Sequence, residues 1–185
     1  METSIIISGF GGQGTLFSGQ VLTYAAMAAG KHVTWIPSYG PEMRGGTANC
    51  TVVISDHEIG SPLVLNPLIV IAMNLPSLEK YESLVAENGF LLANKSLITK
   101  DFNRIGINSH FIPANELAEE IGNAKMASML MTGAMAEITN VLTLDQIKEA
   151  LEKNIPARHK KTIPMNFAAI DKGAEFIRDS IAAKI

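Results

Sequence analysis

Two short segments near the start of the chain carry residue types suited to holding a ligand or a partner at close range. The first is Gly9-Phe10-Gly11-Gly12-Gln13-Gly14. Glycines at these spacings let backbone N–H groups approach a phosphate with no Cβ in the way, and a helix that follows adds the partial positive charge of its N-terminus. The second is Pro37-Ser38-Tyr39-Gly40-Pro41-Glu42-Met43-Arg44-Gly45-Gly46, which sets an aromatic ring, an acid and a guanidinium among turn formers. Arg44 has the chemistry to clamp a carboxylate or phosphate through two parallel hydrogen bonds. The same side chain also suits a pair with Glu42 or with an acid across a subunit boundary.

The glycine segment satisfies G-x-G-x-x-G, yet a dinucleotide site also calls for an acid roughly 20 residues further on to hold the ribose hydroxyls. That region reads His32-Val33-Thr34-Trp35-Ile36, and no acid occurs before Glu42. Three readings of the glycine loop stay open: a stand-alone NAD or FAD module, a structural turn, and a contact with a cofactor or partner shared between subunits. Zinc-peptidase, nucleophile-elbow and Walker-type motifs are missing. The four histidines, His32, His57, His110 and His159, show no pair at helical spacing and read as packing or surface residues. One cysteine, Cys50, cannot by itself hold an iron–sulfur cluster.

The elements that must position these segments follow from periodicity. Ser4 to Ser8 reads as a buried strand, and from Thr15 a helical stripe of Phe17, Val21, Tyr24, Ala25 and Ala28 runs to a stop at Gly30. His32 to Ile36 is the next strand, Pro37 to Gly46 a loop, and Thr47 to Ile54 an alternating strand with Ala48, Cys50, Val52 and Ile54 on one face. Leu68–Ala72, Gly89–Ala93 and His110–Ile112 read as further strands, with a helix from Pro76-Ser77 to Leu84. After Ala114 the pattern is helical: Ala127–Ile138, then a capping box at Thr143 opening a helix to Lys153, then a helix from Pro164 with Ala168, Ile170, Ala174 and Ile177 as its stripe. Met126, Met129, Met131 and Met135 suit core packing, or an adaptable partner surface. The pattern predicts one α/β domain over residues 1–185: three α/β/α layers, a largely parallel or mixed sheet, a Rossmann-like opening βα unit and a helical C-terminal third. Both candidate loops should leave neighbouring strands at their carboxyl ends and face one crevice.

Composition narrows the partners. Of 185 residues, 18% are charged and 47% hydrophobic, with a net charge of -3, so no nucleic-acid footprint is expected. The basic run Arg158-His159-Lys160-Lys161 reads as a solvated turn between helices rather than a phosphate-binding patch. Met1-Glu2-Thr3-Ser4 carries no basic stretch, and the apolar run Pro67–Met73 is far short of the ~20 residues of a membrane span. A soluble cytoplasmic chain with no membrane partner is expected.

Taken together, Gly9–Gly14, the stretch Ser38–Cys50, Val52-Val53-Ile54-Ser55-Asp56 and Ile59-Gly60-Ser61-Pro62 resemble the gamma subunits of 2-oxoacid:ferredoxin oxidoreductases. The resemblance spans the chain, and its specificity lies before Pro62. It implies oxidative decarboxylation of a 2-oxoacid to its acyl-CoA, with coenzyme A as co-substrate and electrons passing to ferredoxin or a similar acceptor. The form Pro41-Glu42-Met43-Arg44-Gly45-Gly46-Thr47-Ala48-Asn49-Cys50 is most similar to 2-oxoglutarate-type members, with pyruvate and ketoisovalerate members close. Thiamine diphosphate, Mg²⁺ and iron–sulfur clusters would be held by partner alpha and beta subunits, and by a ferredoxin-like delta subunit where one is present. This chain would bind no cofactor alone and would carry no catalytic residue. Its expected contacts to the cofactor and coenzyme A region are Gly9, Gly11, Gly12, Gln13, Gly14, Ser38, Tyr39 and Arg44, with Gln13 offering an amide to a phosphate or partner carbonyl and Tyr39 and Arg44 reaching outward. A purely architectural subunit that touches no ligand is the alternative.

Overall fold

The computed structural model describes residues 2–40, 46–100, 102 and 104–183. The opening β-branched run forms β1, Glu2–Phe10. Its alternation sends Ile5 and Ile7 into one hydrophobic core and Ile6 into a second on the opposite face. The chain then enters α1 (Thr15–Ala28), which ends where Gly30 takes a φ of 73°.

Strands β2 (His32–Tyr39) and β3 (Thr47–Ser55) form an antiparallel pair, and β3 also pairs antiparallel with β1. Strands β4 (Ile69–Ala72), β5 (Phe90–Asn94) and β6 (Asn108–Ile112) extend the sheet in parallel from β1. The order is β2-β3-β1-β4-β5-β6, a mixed sheet. The strands preceding the two candidate loops are not neighbours, because β3 lies between β1 and β2. They do run in the same direction, so both loops still leave one pole of the sheet. Strand β2 also continues through Pro37, Ser38 and Tyr39, which the sequence suggested were loop. Its position at the sheet edge tolerates a proline that a central strand would exclude.

The two helical layers are unequal. One face carries α1, α3 (Ala114–Glu120), α4 (Ala127–Thr139), α5 (Leu144–Asn154) and α6 (Ile163–Ala182) around the larger core. The other carries α2 (Leu75–Tyr81) and the 3₁₀ turn Glu82–Leu84 over Val70, Leu91 and Ala93. The Thr143 capping box is formed: Gln146 N donates to Thr143 Oγ1 at 3.2 Å, and Thr143 N donates to Gln146 Oε1 at 2.9 Å. Met129, Met131 and Met135 are fully buried, so α4 is core rather than a methionine-lined surface. In α6 the buried stripe is Asn166, Ala169, Ile170, Gly173, Ala174 and Ile177. Ala168 is exposed, since two residues before Ile170 places it about 200° around the helix.

Candidate functional site

The glycine loop is closed by its own glutamine. Gln13 N donates to Phe10 O at 3.1 Å, while Phe10 N donates to Gln13 Oε1 at 2.6 Å. The same Oε1 accepts from Asn74 Nδ2 at 3.2 Å, and Gln13 Nε2 lies 3.4 Å from Met73 O. The amide expected to serve a phosphate or partner carbonyl is thus turned into the fold, tying the loop after β1 to the loop after β4. Gly12 and Gly14 adopt φ values of 99° and 80°, left-handed positions that a side chain rarely occupies. A Cβ at Gly14 would also collide with the Ser128 hydroxyl of α4. Gly14 is the N-cap of α1 and offers no side-chain cap.

The last residue of the second segment meets the first. Gly11 N donates to Gly46 O at 2.8 Å, just before β3 begins. Beside this bond opens a crevice of about 740 Å³ lined by Gly11, Gly12 and Gly14 from one segment and Pro37, Tyr39 and Ala48 from the β2–β3 pair. Thr15, Leu16, Phe17 and Trp35 complete it. The two segments therefore share one cleft, as their positions after parallel-running strands require.

The eight expected contact residues divide by this geometry. Gly11, Gly12, Gly14 and Tyr39 line the crevice, and Tyr39 is 60% exposed. Gly9 and Gln13 shape the loop from behind: a Cβ at Gly9 would approach Gln13 Oε1 to 2.6 Å. Ser38 alternates away from Tyr39 along β2 and is not among the lining residues. Arg44 lies outside the described residues. Phe17 and Trp35 were not anticipated. The available signal was period two: Trp35, Pro37 and Tyr39 fall on one face only if the strand is carried past Ile36.

The packing behind Trp35 is tight. Gly19 lets α1 approach the sheet where a Cβ would meet the Cys50 sulfur and, at 3.0 Å, Trp35 Nε1. Burial pushes the Cys50 thiol up to about 11, opposed by smaller effects of the Trp35 side chain and the Gly19 and Ile7 backbone. Trp35 Nε1 is buried without a hydrogen bond of normal geometry, so its influence on the sulfur is that of a nearby dipole. Cys50 Sγ itself donates to Thr15 O at 3.4 Å. Such a thiol is a packing group with little thiolate character. Among the described residues no cluster of histidine, cysteine or carboxylate side chains is arranged to hold a metal, and no helix is long and apolar enough to cross a membrane. The arrangement supplies surface: three aromatic rings and glycine backbone, with no histidine, cysteine or carboxylate among the described lining residues.

Residues 4–176 match the family model described as pyruvate ferredoxin/flavodoxin oxidoreductase. The chain is 37% identical over 185 residues to the ketoisovalerate oxidoreductase subunit VorA of Methanothermobacter thermautotrophicus, covering all of this chain and 38% of that relative. The chain thus spans well under half the length of that protein. To the 2-oxoglutarate synthase subunit KorC of Methanocaldococcus jannaschii it is 33% identical over 182 residues, covering 97% of this chain and 96% of the relative. The crystal structure of a keto/oxoacid ferredoxin oxidoreductase gamma subunit from Geobacter sulfurreducens superposes with a TM-score of 0.82 at 27% identity, covering 96% of this chain and 99% of that one.

Proposed function

The chain belongs to the pyruvate ferredoxin/flavodoxin oxidoreductase family, and from that premise we propose that it is the gamma subunit of a thiamine-diphosphate-dependent 2-oxoacid:acceptor oxidoreductase. Its 185 residues act as one gamma-type domain docked on companion alpha and beta chains, with a delta chain where one is present. The companions carry thiamine diphosphate, Mg²⁺ and the clusters. In the assembled enzyme the 2-oxoacid loses its carboxyl group as carbon dioxide, two electrons pass to ferredoxin or a similar acceptor, and the acyl group leaves on the sulfur of coenzyme A. This chain contributes shape: a glycine backbone that a partner or cofactor can approach closely, beside an aromatic wall. The working compartment is the cytoplasm.

The observation that carries this reading is the meeting of the two loops, joined by the Gly11–Gly46 bond, over one cleft walled by Phe17, Trp35 and Tyr39. Aromatic anchors in a depression with little charge are what the central part of a protein interface is made of. For the substrate, 2-oxoglutarate is our assignment, supported by a KorC relative that matches along 96% of its own length.

Gly12 provides the test, because space is open around its Cα even though its φ is 99°. Gly12→Trp should cost the isolated chain only about 1–3 kcal/mol of backbone strain and leave it folded. The indole would then occupy the cleft mouth. In the complex reconstituted with its companions, association or turnover should fall at least about tenfold, corresponding to ~1.4 kcal/mol at the interface. Unchanged assembly and unchanged turnover with 2-oxoglutarate, pyruvate and ketoisovalerate would remove the functional claim for the cleft.

A further inference from the structure

Between α5 and α6 the chain makes an exposed 3₁₀ turn, Ala157–Thr162, that carries Arg158, His159, Lys160 and Lys161. Elsewhere six of the ten described lysines and arginines are within ion-pair distance of a carboxylate. Lys31, Lys100, Lys148, Lys153, Lys172 and Arg178 each have a carboxylate within 4.0 Å. Arg104 is satisfied by the backbone carbonyls of Glu82 and Val85. Arg158, Lys160 and Lys161 have no carboxylate partner among the described residues, although acids outnumber Lys and Arg by 18 to 15 in the whole sequence. Three like charges in four residues repel one another, and among the described residues no carboxylate lies within 4.0 Å to offset that.

The turn also has a receptacle beside it. Arg158 and His159 form one rim of a cleft of about 230 Å³ whose other rim is Gln20 and Tyr24 of α1, with Ile155 in its floor. Arg158 Nε donates to His159 Nε2 at 3.1 Å, which leaves the terminal guanidinium nitrogens for another acceptor. Gln20 Nε2 donates to Tyr24 Oη at 3.4 Å, so the phenolic hydrogen is also directed elsewhere. Apolar floor and donor-rich rim fit a carboxylate on an aliphatic stem. Phe17 lines this cleft and the larger crevice alike, so the two surfaces meet across a single ring.

We propose that the 157–161 turn and its cleft dock a carboxylate-rich segment of the companion chain that covers the aromatic crevice. This rests on the subunit reading above and adds the chemistry of the partner. The crevice would hold apolar anchors, and the turn an acidic stretch immediately beside them. Charge at the edge of an interface acts mainly on encounter rate and register, and its contribution is screened by salt.

The experiment compares three forms of the full chain with the purified companion subunits of its complex: wild type, Lys160→Glu/Lys161→Glu, and Lys80→Glu/Lys100→Glu as a charge-matched control. The control sites lie on or near the small helical layer on the opposite face of the sheet. All four lysines are exposed, and isolated forms that melt together establish that each is folded. The expected result is a companion Kd raised about tenfold at low salt for the 160/161 reversal and within about twofold for the control, with wild type losing its advantage as salt rises. Arg158→Gln, which keeps hydrogen-bonding capacity without charge, should give a smaller loss of the same salt dependence. Two reversals with equal affinities and equal salt slopes overturn the docking site and leave the subunit reading standing. A wild-type chain that binds no companion overturns both.

Discussion

Gln13 closes the loop that carries it, and this changes what each glycine around it is for. Gly9 gives the glutamine oxygen room, Gly14 gives α4 room, and the space beside Gly12 is open. Cys50 illustrates a similar inward role. Its thiol lies between α1 and the sheet, raised from 9.0 to about 11 by burial. Across that window the unfolded chain loses a proton that the folded chain keeps, so stability is undiminished below pH 9 and falls as pH rises toward 11. The loss should approach ~2–3 kcal/mol at the upper end. Urea midpoints of wild type and Cys50→Ala at pH 8 and pH 10.5 isolate this thiol from other alkaline titrations. The gap between the two proteins should narrow with pH, and a constant gap would mean that the thiol does not remain protonated in the folded state.

At the scale of elements, the crossing of α4 on α6 is the tightest joint in the molecule. A Cβ at Gly133 would fall on the Ile170 carbonyl, and one at Gly173 on the Leu130 carbonyl, so each helix presses a glycine onto the other's backbone. Backbone cannot swing aside as a side-chain tip can. Gly133→Ala should therefore destabilise by about 3 kcal/mol or more despite the higher helix propensity of alanine, because overpacking outweighs a gain of roughly 1 kcal/mol. Thermal denaturation should place its midpoint well below that of an Ala168→Gly control on the exposed side of α6. A Gly133→Ala midpoint at or above wild type would show that the helices can separate without loss. This joint braces the N-terminus of α1 indirectly, through Ser128 of α4 against Gly14.

Across the whole molecule, one sheet serves two cores. Ile5 and Ile7 point to the side of α1, α4, α5 and α6, while Ile6, Val70 and Leu91 point to the side of α2. Because the same strands wall both, neither core can open without tearing hydrogen bonds that the other needs, and unfolding should be a single transition. Val70→Ala in the smaller core should lower stability by about 1–3 kcal/mol. It should move the fluorescence of Trp35, on the other face, by the same denaturant shift as far-ultraviolet circular dichroism. Two separated transitions would mean that the layers fold independently.

The sequence by itself determined the local conformations: β-branched runs for buried strands, Thr143 with Gln146 for a helix start, Gly12 and Gly14 for backbone that side chains avoid. These are decided within a few residues by sterics and hydrogen bonding, so they can be read without a fold. The two family motifs were legible for the same reason, as contiguous stretches. Tertiary structure alone decided that β3 would lie between β1 and β2, that Pro37–Tyr39 would be strand because β2 is an edge, and that Gln13 would face inward to Asn74 and Met73. It also decided that Phe17 and Trp35 would wall the crevice. Each of these depends on which distant segment arrives alongside, and the free energy of that choice is spread over the packing of the whole chain rather than written in any one stretch of it.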